Sequence, residues 1–237
     1  MIDGKIHAAI VDYGLGNLFS VKQACEYVGM SAVITSVHLE LETADVVILP
    51  GVGAFSDAMT ALKKLDLISP LQEIGKSQKW LVGICLGMQL LMSESYEFGV
   101  HKGLNVIEGS VVPIENLEAT SIVDGIPRKL KVPQVGWNQI WHPSDKYLNN
   151  HGKDSDWSNT PLWNIADAEY FYFVHSFYVK PARRELTLAT TKYGQIEFCS
   201  SLQYNKNFAC QFHPERSGSQ GLKIYENINA MVSANPE

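Results

Sequence analysis

Hydrophobic residues in the first half of the chain fall into short unbroken blocks, and the segments between them carry helical periodicity. Residues 6–11, 31–35, 45–49 and 80–84 read as strands, whereas 20–28, 54–65, 68–75 and 86–93 read as helices. Strands that are apolar on both faces and alternate with helices belong to a parallel sheet covered on both sides. The second half changes period. Residues 103–113, 137–141, the aromatic run 171–177, then 186–191, 196–203 and 208–212 are β-rich, and a last helix is expected over 220–232. The pattern predicts an α/β fold: an open, twisted, mostly parallel sheet with helices on both faces and an added antiparallel portion. A single domain over 1–237 follows from the length. The polar stretch 142–167 predicts a surface loop insertion within it.

Composition narrows the function classes. Hydrophobic residues make up 46% and charged residues 19%, which is ordinary for a folded globular chain, and the net charge of -6 argues against a generic nucleic-acid or anionic-membrane binder. Cys25, Cys85, Cys199 and Cys210 form no CxxC pair and have no His at zinc-ligand spacing, so neither a metal nor any other cofactor is expected. Their scatter suits reduced thiols, and with no leader-like pattern over 1–10 or apolar run long enough to span a bilayer, a cytoplasmic location is expected.

One cysteine stands apart. In Gly83-Ile84-Cys85-Leu86-Gly87-Met88-Gln89 a buried strand ends, the chain turns at Cys85 and a helix begins at once, the geometry of a nucleophile elbow with sulfur as the nucleophile. Glycines on either side permit close strand–helix packing around a strained turn, and the helix start favours thiolate and offers the Leu86 N–H to an oxyanion. A buried structural cysteine is the commoner fate of a lone Cys, but these flanking glycines argue against it. A thiol nucleophile needs a base, and the base an orienting acceptor. His213 and Glu215, at the end of the apolar strand 208–212, supply both, with Pro214 stiffening the link. Pro50-Gly51-Val52-Gly53 ends another strand at the same sheet edge, where its glycines permit an N–H to face developing negative charge; a plain turn is the equal alternative on that fragment alone. Gly14-Leu15-Gly16 lacks the third glycine of a dinucleotide loop, Phe19 standing in its place.

Taken together, these residues resemble the class I (triad) glutamine amidotransferases along nearly the whole chain, and within them the glutaminase subunits of imidazole glycerol phosphate synthases. The resemblance is carried by residues 11–18 (VDYGLGNL), 50–53 (PGVG), the cysteine elbow, 133–138 (PQVGWN), the run ending in His175-Ser176-Phe177, and 211–218 (QFHPERSG). It implies hydrolysis of L-glutamine to glutamate and ammonia by a Cys85–His213–Glu215 triad. It also implies that Val52, Gly53 and Leu86 surround the oxyanion and that Gly51, Gln89, His175, Ser176 and Phe177 hold glutamine. Asn17, Trp137 and Arg216 would face a (β/α)8 synthase partner in a heterodimer, through which ammonia passes to the histidine pathway; as bare residues, Trp137 is more often core and Arg216 a solvated charge. Two departures bear on that partner: Gln134-Val135 stands where a His-Met or His-Ile pair is usual, and the 142–167 stretch is longer than common. The resemblance therefore also admits a related glutaminase feeding a sugar amidotransferase of surface-polysaccharide synthesis, or a regulatory pseudo-enzyme, although the intact triad argues against the latter. From the residues alone, another cysteine hydrolase acting on an ester, peptide or γ-glutamyl bond is the remaining alternative.

Overall fold

A computed structural model describes residues 4–115, 120–123, 126–143 and 157–234. The apolar blocks of the first half form β1 (His7–Val11), β2 (Ser31–Thr35), β3 (Val46–Gly51) and β4 (Trp80–Cys85), joined through the helices α1 (Leu18–Tyr27), α2 (His38–Thr43), α3 (Phe55–Lys64) and α4 (Ile68–Lys76). They pair in parallel in the order β2-β1-β3-β4. Every residue of β3 and β4 is buried, which explains why their sequences show no alternation. Successive side chains still point to opposite faces. Val46, Ile48, Val82 and Ile84 join Val21 and Cys25 of α1, while Val47, Leu49 and Leu81 join Phe55, Leu62 and Leu71 of α3 and α4.

Helix α5 (Leu86–Leu90) follows β4 without a spacer. Beyond it come β5 (Glu94–Ser95), β6 (His101–Lys102), β7 (Gly109–Pro113), β8 (Thr120–Val123), β9 (Ile126–Lys129), β10 (Gln134–Ile140), β11 (Glu169–His175), β12 (Phe177–Pro181), β13 (Thr187–Tyr193), β14 (Ile196–Tyr204), β15 (Asn207–Cys210) and the closing helix α6 (Gly218–Ala234). The main sheet continues β4-β15-β14-β12-β7-β5-β6, with β13 on β14, while β10–β11 and β8–β9 are separate antiparallel pairs. For the site, the decisive register is at the centre. β15 runs parallel to β4 with Cys210 opposite Ile84, and β3 runs parallel on the other flank with Gly51 opposite Cys85. Three chains therefore leave the sheet side by side at one edge.

Several expectations need correction. The helix expected over 86–93 ends at Leu90, because the carbonyls of Leu90 and Leu91 are taken by the N–H groups of Leu104, Val106 and Ile107. That same exchange keeps 103–108 out of the strand expected over 103–113. The aromatic run is two strands rather than one: β11 pairs with β10, β12 pairs with β7, and the chain switches sheets at Ser176. The helix α2 has no counterpart among the expected elements; it has six residues and buries only Leu41, too little for a periodic signal. Of the 142–167 stretch, 144–156 lie outside the described residues. Beyond them the surface expectation does not hold, since Trp157, Leu162 and Ile165 are buried in the main core. The Trp157 indole N–H donates to the Leu188 carbonyl at 2.6 Å.

Candidate active site

Cys85 sits at the strand–helix junction with φ 54° and ψ -109°, a conformation that costs a non-glycine residue on the order of 1–3 kcal/mol and persists only where the surroundings impose it. The neighbouring glycines show what imposes it. A Cβ on Gly83 would lie 3.0 Å from the Met88 backbone, and one on Gly87 would collide with the Leu49 carbonyl of β3. The elbow is thus pressed against its own helix and against the adjacent strand. With α5 only five residues long, what it offers an anion is the local N–H of Leu86 rather than an extended helix dipole.

His213 and Glu215 leave the sheet beside it. His213 Nδ1 lies 2.8 Å from Glu215 Oε1, the short turn Pro214–Arg216 folding the carboxylate back under the ring. The backbone is held too: the His213 N–H donates to the Tyr172 carbonyl at 2.9 Å, and Ser217 Oγ donates to the His213 carbonyl at 2.6 Å. Burial opposes charge on His213, yet the adjacent Cys85 sulfur, by charge and hydrogen bonding, and then Glu215 outweigh it and push the imidazole up to about 10. With Nδ1 committed to Glu215, Nε2 is the nitrogen left for sulfur. It is buried and has no hydrogen-bond partner among the described residues.

Cys85 opens onto a cavity of about 440 Å³. Val52, Gly53, Leu86 and Gln89 line it together with Val174, His175, Ser176 and Phe177. Gly51 lies just behind, in register with Cys85, where a Cβ would meet the Tyr13 hydroxyl; that hydroxyl donates to the Pro50 carbonyl at 2.8 Å. Gln89 Nε2 donates to the Phe177 carbonyl at 3.0 Å. His175 Nδ1 is 2.8 Å from the same carbonyl, and burial pushes this imidazole down to about 4, so the ring is neutral with its proton on Nδ1. Of the residues expected from the sequence, Cys85, Val52, Gly53, Leu86, Gln89, His175, Ser176 and Phe177 line one cavity, whereas Gly51 and His213 adjoin Cys85, and Glu215 adjoins His213, without lining it. Trp137 and Arg216 are brought together elsewhere, both against Tyr172: the indole packs edge-on at 6.1 Å and the guanidinium lies 4.5 Å over the ring. Asn17 precedes α1, which packs beside the turn carrying Arg216.

Sequence reasoning missed several contributors to the cavity, Glu97 and Phe98 among them. Glu97 lines it with a buried carboxylate whose Oε2 accepts the Phe55 N–H at 2.5 Å, and Phe98 stands at the mouth, edge-on to Phe177 at 6.1 Å. Nothing in Ser95-Tyr96-Glu97-Phe98 marks a buried acid, since its burial depends on α3 packing across it. Cys25 and Cys199 are held up at about 12 by burial and Cys210 is likewise pushed up, which leaves them as apolar filler.

The sequence profile of the family described as glutamine amidotransferase class-I matches residues 9–230. The chain is 40% identical over 219 residues to the imidazole glycerol phosphate synthase subunit HisH of Chlorobaculum tepidum, covering 92% of this chain and 97% of that protein. It is 38% identical over 224 residues to the Aquifex aeolicus protein of the same name, covering 94% and 96%. Among solved structures, it superposes on a glutamine amidotransferase with a TM-score of 0.65 at 15% identity, covering 94% of this chain and 98% of that one. A structure of PurLQS from Thermotoga maritima gives 0.63 at 16%, covering 94% and 97%. The structural likenesses speak to the fold; with a profile matching nearly its whole length and relatives at this identity, the chain belongs to the class I glutamine amidotransferase family.

Proposed function

We propose that this chain is the glutaminase subunit of an imidazole glycerol phosphate synthase, hydrolysing L-glutamine with Cys85 as nucleophile, His213 as base and acid, and Glu215 as the group that orients His213. The observation that supports the chemistry most directly is the convergence of three parallel strand ends, which sets the elbow cysteine beside a histidine bonded to a buried glutamate and in front of a cavity. The carbonyl carbon of the glutamine side chain lies before Cys85, and the thiolate adds to it while the oxygen takes negative charge facing Leu86, Val52 and Gly53. His213 gives its Nε2 proton to the nitrogen as the C–N bond breaks, releasing ammonia and leaving a γ-glutamyl thioester. Water then adds to the thioester with its proton passing to His213. The C–S bond breaks, glutamate departs and the thiolate–imidazolium pair is restored. Glu97 places negative charge where the α-ammonium of glutamine would lie, and neutral His175 adds none.

The acceptor of the ammonia follows from the relatives, which are subunits of imidazole glycerol phosphate synthase. The partner in this reading is a (β/α)8 synthase subunit docked on the face bearing Asn17, Trp137 and Arg216. The test is Cys85→Ala in the complex with this synthase partner, with glutamate release as the readout. Activity should fall on the order of 10⁴-fold or more, while synthesis supplied with free ammonia continues. Glutamine-dependent activity persisting in this variant defeats the assignment.

A further inference from the structure

Gln211 follows the last residue of β15 and is completely buried, a place where an amide must find partners or destabilise the fold. Two groups lie against its side chain. Oε1 accepts from Gln89 Nε2 at 3.1 Å, and Nε2 stands 3.6 Å from Cys85 Sγ. This orientation has a cause. Gln89 also meets the Phe177 carbonyl at 3.0 Å, and since a carbonyl only accepts, Gln89 must present its NH₂ there. The same NH₂ faces Gln211, which must answer with oxygen and therefore turns its own NH₂ to the sulfur. One backbone carbonyl thus sets the polarity of a relay ending at Cys85.

Another hydrogen-bond neighbour of the sulfur is the Val174 carbonyl at 3.7 Å. It accepts, so it stabilises S–H; the Gln211 N–H donates, so it stabilises S⁻. The two contacts act in opposite senses on one atom, and Gln211 is the one that favours the attacking form. His213 must also pass its Nε2 proton to the departing nitrogen and take one back from water, whereas the Gln211 N–H is never transferred and faces the sulfur throughout.

We infer that Gln211 is a further catalytic residue that donates an N–H to the Cys85 thiolate, with Gln89 as the positioning residue that keeps the Gln211 amide turned. The inference rests on Cys85 being the nucleophile. Both N–H bonds of Gln89 are spent in this relay, which leaves its Oε1 as the polar atom available to a substrate in the cavity it lines. Losing the Gln211 donor should impair the thiolate before glutamine ever binds.

The experiment measures alkylation of Cys85 by iodoacetamide against pH, read by mass spectrometry of the labelled peptide, alongside glutaminase kinetics in the complex. Gln211→Glu keeps an oxygen for Gln89 but turns a second, charged oxygen to the sulfur. Its alkylation profile should move to higher pH by about one unit or more, a roughly tenfold loss of reactive thiolate at fixed pH, with kcat falling more than KM rises. Gln211→Leu should move the profile the same way by less. If Gln211 only props up Gln89, the Glu variant will alkylate as the wild type does and change KM alone, which overturns the inference. Gln89→Leu, which leaves Gln211 in place but frees its amide to rotate, gives the reading should both Gln211 variants fail to fold: a smaller upward displacement is expected, and a wild-type profile overturns it. Persistence of glutamine hydrolysis in Cys85→Ala would instead count against the nucleophile itself.

Discussion

At the scale of single residues, the site separates its two histidines by environment. His213 is given charge partners and held up, whereas His175, buried beside Phe173, Phe198 and the Phe177 carbonyl, is pushed down to about 4 by that burial. The stability consequence for His175 has a definite sign. Unfolded, the imidazole binds a proton near 6.5; folded, it resists until about 4, so the unfolded state binds more protons in between and stability falls as pH drops through that window. By pH 4 the loss from this residue should be about 3 kcal/mol, the shift converted at about 1.4 kcal/mol per unit. His175→Asn, whose side-chain NH₂ can still donate toward the Phe177 carbonyl, should remove most of that dependence. Urea unfolding at pH 7 and pH 4 checks it, and equal acid sensitivity in the two proteins would show that another group sets the acid limb. The role of His175 as a neutral wall could not be read from its aromatic neighbours in sequence, because it depends on Phe198 arriving from a different strand.

At the scale of elements, what can be read from sequence divides by range. Cys85, His213 and Glu215 can be found because each lies at the end of an apolar run, and runs of that kind pair in parallel and end at a common edge. The length of α5 cannot, since its last carbonyls are claimed by residues more than a dozen positions later. Gln211 sits between these cases. A lone amide inside the apolar stretch Phe208-Ala209-Cys210-Gln211-Phe212 is a visible anomaly, but its partners come from β4 and α5. The elbow itself makes a separate prediction. At Gly87 an added methyl meets the backbone oxygen of Leu49, which cannot swing aside as a side-chain tip can. Gly87→Ala should therefore cost about 3 kcal/mol or more. Gly16→Ala, whose Cβ meets only the flexible end of Leu18 at 3.2 Å and the Pro50 ring at 3.6 Å, should cost no more than about 1 kcal/mol. Denaturant midpoints with unchanged m-values would report the difference, and similar costs at both glycines would mean that β3 shifts to admit the methyl.

At the scale of the whole molecule, the β10–β11 ribbon joins the cavity to the face expected to meet a partner. Along β11, Phe171, Phe173 and His175 point inward to core and cavity, while Tyr170, Tyr172 and Val174 alternate with them on the other side, opposite Gln139, Trp137 and Val135 of β10. Val135 is 59% exposed and Trp137 57%, a costly apolar face for a monomer to leave in water. Arg216, stacked on Tyr172, belongs to the turn that also holds Glu215 under His213. Val174 of the same ribbon, paired with Val135, turns its carbonyl to the nucleophile. A partner pressing on the outer side of this ribbon therefore acts within one residue of the sulfur. Buried aromatic anchors at interfaces carry on the order of 2 kcal/mol or more, so Trp137→Ala should weaken binding of a (β/α)8 synthase partner by about 30-fold. Glutaminase activity measured without the partner should stay unchanged, because Trp137 does not line the cavity. Titrating the synthase partner into the protein while following glutamate release gives both quantities at once, the midpoint reporting affinity and the starting rate reporting the isolated site. An unshifted midpoint in Trp137→Ala would place the partner on another face and remove the ribbon from the path between binding and catalysis.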